Sequence, residues 1–193
     1  RRLRDVGLPC GRQTVLGDEP IVIREALRES LQRVELLITT GGLGPTFDDV
    51  TMAAIAEATR CPLSYRPAVA ARIRRWVRRR HRALPRTALR QAWLPRGGVA
   101  LPNPVGTAPG LWLTLGDRIL VALPGVPREL RAMLERSVLP RLRQLPGRRA
   151  IHTVTLRTIG LVELHLERVL RRCRLPRTLQ VGLYPPLDTV DLR

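Results

Sequence analysis

The chain has 193 residues, with 34 Lys+Arg against 16 Asp+Glu and a formal net charge of +18. That length fits one domain plus a small second piece, and an apolar content of 44% supplies a core and excludes wholesale disorder. No apolar run approaches the roughly 18 residues that span a bilayer, and three scattered cysteines (Cys10, Cys61, Cys173) give neither a disulfide framework nor a zinc knuckle and suit a reducing cytoplasm.

Every Lys+Arg position is arginine, and the chain holds one Asn and one Phe. The absent or scarce types share AT-rich codons, so the arginine excess points to a GC-rich genome rather than to a nucleic-acid partner. The charge would still attract phosphates and other anions. The chain opens with Arg1 and not methionine, and the expectation is that an amino-terminal segment is missing.

In chain order, Asp18 is placed to cap a helix with Pro20 in its first turn. Ile23, Leu27, Leu31 and Val34 then repeat at helical spacing. Glu35 to Thr40 reads as a short buried strand running into Gly41 and Gly42. A second helix is expected from about Asp49 to Arg60. In the next, Val69, Ile73, Trp76 and Val77 share one face, and Arg72, Arg75, Arg79 and Arg82 line another. That basic face reads as solvated; with few aromatics beside it, a base-stacking platform has little support.

A shorter segment covers Thr87 to Trp93, and the Pro/Gly-rich stretch from Pro95 to Gly110 reads as a long loop. Leu111 to Leu115 and Arg118 to Leu123 read as paired strands about a Gly116-Asp117 turn. Pro124 to Pro127 breaks the chain before a helix from Arg128 to about Leu145, kinked or restarted at Pro140. Leu145 to Arg149 reads as a linker. A strand (Thr153 to Arg157), a helix (Val162 to Cys173) and a strand (Thr178 to Leu183) follow. Alternating strands and helices predict an α/β sandwich on a mainly parallel sheet.

Three loops carry candidate chemistry. Thr39 to Thr51 (TTGGLGPTFDDVT) is a glycine-rich turn between a strand and a helix. Gly41, Gly42 and Gly44 let the backbone approach a ligand, and turn N–H groups with a helix N-terminus favour phosphate. In open α/β sheets ligands sit at the carboxyl ends of strands. Thr40 and Thr46 add hydroxyls. Asp48 and Asp49, beside that phosphate site, are candidate ligands for a divalent metal, Mg²⁺ in the first instance; one of them is also expected to cap the next helix. In Asn103 to Gly110 (NPVGTAPG), Asn103 either reads a ribose hydroxyl or holds the loop by an Asx-turn, with Gly106 and Thr107 beside it. In Ala122 to Leu130 (ALPGVPREL), Gly125 allows close approach and Glu129 stands in a helix's first turn. His81, His152 and His165 show no ligand spacing.

Together, in this order and at these spacings, the three loops resemble the CinA (competence-damage-inducible) proteins, whose amino-terminal half is a MoaB/Mog-like, molybdopterin-binding domain. The resemblance spans roughly Leu3 to Leu145. Leu156 to Glu163 and Val181 to Pro186 resemble the KH-like insert that follows it. This implies a three-layer α/β/α fold, with 1–147 as the MoaB/Mog-like domain lacking its amino-terminal strand and 148–193 as a partial KH-like domain. It implies metal-dependent hydrolysis of ADP-ribose to AMP and ribose 5-phosphate, with Mg²⁺, Mn²⁺ or Co²⁺ on Asp48 and Asp49. Thr40, Gly41, Gly42, Gly44, Thr46, Asn103, Gly106, Thr107, Gly125 and Glu129 would bind the nucleotide, and Tyr184 would stack on a base or pack. The partner is a small-molecule nucleotide; a homodimer or trimer follows from Mog-like folds alone. The alternatives are a Mog-type module that binds molybdopterin or nucleotide without turnover, a truncated inactive member, and, last, a basic nucleic-acid-binding protein. Where the family often carries Asn and Arg, this chain has Ala88 and Leu89.

Overall fold

The computed structural model describes residues 2–81, 83–145, 154–176, 178–179, 181–184 and 189–192. The chain divides into two compact units, Gly11–Pro146 and, separately, Arg1–Cys10 with Gly147–Arg193.

The larger unit begins with α1 (Pro20–Arg33). Pro20 opens it, where a missing N–H costs no hydrogen bond. Its N-cap is Glu19, without a side-chain cap bond, so the expected Asp18 cap is not formed. Strand β1 (Leu36–Thr40) follows, then α2 (Thr51–Thr59). Strand β2 (Leu63–Tyr65) leads into α3 (Pro67–Arg78). A 3-10 stretch, Arg86–Ala92, delivers β3 (Trp93–Pro95), and β4 (Val99–Leu101) comes next. Strands β5 (Gly110–Leu115) and β6 (Arg118–Leu123) form the expected hairpin, with Gly116 at φ +62° in its turn.

The main sheet runs β1-β6-β5-β4. Only β1 and β6 are parallel; β5 lies antiparallel to both β6 and β4. The sheet is therefore mixed, not mainly parallel. The reason is the hairpin: a two-residue turn can join only antiparallel neighbours. Strand β4 also lies within the stretch expected to be a loop, and β2 and β3 make a second, two-stranded antiparallel sheet. Three-residue strands show too little alternation to stand out from Pro/Gly-rich sequence.

Both faces of β6 are buried. Leu120 and Ala122 join a cluster with Leu27 and Leu31 of α1 and Ala54 and Ile55 of α2. Val121 and Leu123 alternate to the other face and are equally buried. On α3, Ala70, Ile73 and Val77 are buried. The remaining face is not uniformly solvated. Arg72 is half-buried and donates to the Asn103 carbonyl, and burial holds its pKa below the usual arginine range. Arg80 stacks on the Trp76 ring, 3.6 Å from its centroid.

After β6 the helix expected over Arg128 to Leu145 is three pieces: α4 (Pro127–Met133), a π-helical turn (Leu134–Val138) and α5 (Leu139–Arg143). Pro140 lies in the first turn of α5. A proline removes one backbone donor and crowds the preceding turn, and the wider π turn accommodates both.

In the second unit β7 (Leu156–Ile159) and β8 (Leu183–Tyr184) both pair antiparallel with β9 (Thr189–Leu192). Helix α6 (Glu163–Arg172) lies between β7 and β8 in sequence. Asp191 is buried and accepts two bonds from Arg157, at 2.8 and 3.1 Å. Thr153, Pro146 to Arg149 of the expected linker, and Pro185 and Pro186 of the second motif lie outside the described residues. Among the described residues no helix is long and apolar enough to cross a membrane.

Candidate functional site

Strand β1 fixes where the glycine loop starts. It pairs in register with β6, Thr40 opposite Leu123, and Gly41 N–H then donates to the Leu123 carbonyl at 3.0 Å. The two chains part there, so the loops after β1 and β6 leave the same edge of the sheet side by side. Gly125 stands against Gly41: a Cβ at position 125 would come 3.2 Å from the Gly41 Cα. Gly41, Gly42, Gly44 and Gly125 are thus brought to the carboxyl ends of two parallel strands, where α/β folds hold ligands.

Gly42 is required by its backbone. Its φ is +65°, and an added Cβ would run into Thr51 Oγ1. Thr51 is buried, and its N–H donates to the Gly42 carbonyl at 3.2 Å. The loop is thereby folded onto the first turn of α2.

Neither aspartate caps that helix. The N-cap of α2 is Val50, with no side-chain cap bond. Asp49 instead closes the loop on itself: its Oδ2 accepts from Thr46 N–H at 2.8 Å and from Thr46 Oγ1 at 2.5 Å. Asp48 is solvent-exposed. The Thr46 side chain, and then its own backbone N–H, hold its carboxyl below the usual aspartate range. The Asp48 carboxyl is therefore ionised at neutral pH. Two adjacent hard oxygen donors match Mg²⁺ or Mn²⁺, which commonly takes one or two carboxylates and completes its shell with phosphate oxygens and water. Among the described residues no cluster of three His, Cys, Asp or Glu side chains is present, so phosphate and water would have to complete that shell.

The Asn103 loop is built differently from a ligand reader. Asn103 is buried, and its Oδ1 accepts from the Val105 and Gly106 N–H groups at 3.0 and 2.8 Å. Its Nδ2 donates to the Ala108 carbonyl at 3.0 Å and to Glu129 Oε2 at 2.6 Å. This is the Asx-turn alternative, with the amide engaged by protein groups on both sides. Gly106 is needed for close approach, because a Cβ there would meet the Glu129 carboxylate. Glu129 occupies the first turn of α4, where a negative charge complements the helix dipole. Thr107 is half-buried beside these residues. Tyr184 belongs to the second unit, half-exposed in β8.

A cleft of about 290 Å³ opens against the glycine loop. Gly42, Gly44 and Asp49 line one side, and Met52, Leu63 and Trp93 contribute apolar wall. Gln91 and Arg90 also line it. Gln91 is 5% exposed, and its buried Oε1 accepts no hydrogen bond in the protein. Arg90 Nη1 donates to the Thr46 carbonyl at 3.4 Å, which sets a cation beside the aspartates. Neither residue is among the candidate site residues that the sequence singles out. The available signal was a lone Gln between buried Ala88 and Ala92, since polar side chains are rarely buried without a task.

The family of probable molybdopterin binding domains matches residues 1–144. A CinA-like protein of Deinococcus deserti is 41% identical over 194 residues, covering 100% of this chain and 48% of the relative. A CinA-like protein of Deinococcus radiodurans is also 41% identical, over 197 residues, with the same coverage of 100% and 48%. The chain thus spans about half the length of the curated relatives it matches. Among solved structures, CinA of Thermoplasma acidophilum superposes with a TM-score of 0.56 at 35% identity, covering 65% of this chain and 75% of that one. The chain belongs to the CinA family, and residues 1–144 match the family of probable molybdopterin binding domains.

Proposed function

We propose that the chain is a metal-dependent nucleotide pyrophosphatase that hydrolyses ADP-ribose to AMP and ribose 5-phosphate. The observation that carries this reading is the placement of Asp49 against a cleft, on a glycine loop at the carboxyl end of β1, with the exposed Asp48 next to it in sequence. The backbone of Gly41, Gly42 and Gly44 approaches the pyrophosphate without side chains in the way. Arg90, beside Thr46, offsets phosphate charge. Asp48 and Asp49 hold the divalent metal, which supplies charge neutralisation and an activated water when bound. Thr46 keeps the Asp49 carboxylate oriented through two hydrogen bonds. In the reaction a water oxygen bonds to one phosphorus and the bridging P–O bond breaks. The bridging oxygen leaves with the other phosphate, and the proton passes to solvent.

Glu129 and Asn103 support the opposite wall by holding their loop. They are positioning residues in this reading.

The test is release of AMP and ribose 5-phosphate from ADP-ribose with Mg²⁺, Mn²⁺ or Co²⁺, against a control with chelator. Metal-dependent release in equal amounts of the two products supports the hydrolase. Saturable binding of ADP-ribose without product overturns it in favour of a binding module.

A further inference from the structure

The cleft beside the glycine loop has one feature the phosphate chemistry does not use. Gln91 is buried, it lines the cleft, and its Oε1 has no donor. A buried acceptor left unpaired is costly, and native proteins seldom keep one without a partner supplied from elsewhere. The rest of that wall is Met52, Leu63 and Trp93, which prefers a flat apolar ring. The volume of about 290 Å³ lies at the low end for small-molecule sites, enough for one heterocycle and not for a whole dinucleotide.

We propose that this cleft takes the heterocycle of the nucleotide and selects it by an exocyclic amino group, which donates to Gln91 Oε1. The ring is held by the apolar wall, and the phosphates lead out past Gly42 and Gly44. Gln91 is then a specificity-determining residue: it rejects a ring of the same shape that lacks the donor, because that ring leaves Oε1 unpaired. The inference rests on the nucleotide reading of the loop and is independent of hydrolysis.

The test is calorimetric binding of AMP and of purine riboside 5′-monophosphate, which differs only by loss of the amino group, with no metal added. The intact chain is expected to bind AMP at least about tenfold more tightly. In Gln91→Met the two nucleotides should bind equally, and the melting temperature should not fall, because the substitution removes an unpaired polar atom. A Gln91 serving the fold alone would lower it. Equal binding by the intact chain overturns the proposal without any variant. So does a preference that survives Gln91→Met, or no binding of AMP at millimolar concentration. If the preference holds and ADP-ribose is not cleaved, only the hydrolase reading fails.

Discussion

Asn103 Nδ2 lies 2.6 Å from Glu129 Oε2, tying the loop after β4 to the first turn of α4. The same amide holds Val105, Gly106 and Ala108. Asn103→Ala would therefore leave a carboxylate, a carbonyl and two N–H groups without their partner. The expected loss is about 2–4 kcal/mol in urea unfolding. Asn103→Asp keeps the acceptor side but sets two carboxylates against each other. Its destabilisation should grow as pH rises and both ionise, and ease at acid pH where the pair shares a proton. A pH-independent loss would contradict this account of the pair.

Gly42 has a positive φ, and any side chain there meets Thr51 Oγ1. Gly42→Ala is expected to cost about 1–3 kcal/mol. Thr51→Ala on that background should recover part of it, because the steric clash goes while the backbone strain stays. Thermal melts of the single and double variants measure the coupling; additive losses would show that the two residues do not meet.

Thr46 is the main cause of the lowered pKa of Asp48. The folded value is depressed, so the carboxylate stays ionised as pH falls through the ordinary aspartate range. Any stability it contributes is present above its unfolded pKa and lost as pH falls through the folded one. Because Asp48 is exposed, that contribution is screened and small. Thr46→Val should return the Asp48 pKa toward the ordinary range in a carboxylate NMR titration. Metal affinity of the variant should then fall away at a higher pH than in the parent.

Much of the fold was legible because its signals are local. The β5–β6 hairpin announced itself by two apolar runs about Gly116-Asp117, and α1 by Pro20 and its apolar repeat. The mixed sheet was not legible: which strands are neighbours depends on tertiary pairing, and β4 is three residues inside Pro/Gly-rich sequence. Asp18 and one of Asp48 and Asp49 were expected at helix caps by residue type, yet neither helix has a side-chain cap bond and Asp49 closes onto Thr46. That choice rests on the glycine turn, which brings Thr46 within reach. The glycine loop at the end of β1 was readable from its glycines and aspartates. Gln91 was not, because its burial follows from the packing of the 3-10 stretch, and a single polar residue carries no periodicity.

The central claim is that Asp48 and Asp49 hold the metal that cleaves the nucleotide. Metal-dependent AMP release from ADP-ribose, compared between this chain and Asp49→Asn at matched folding by circular dichroism, tests it most directly. The account predicts a fall of at least about a hundredfold in kcat for Asp49→Asn, with AMP still bound. Undiminished release from a folded Asp49→Asn chain would contradict it.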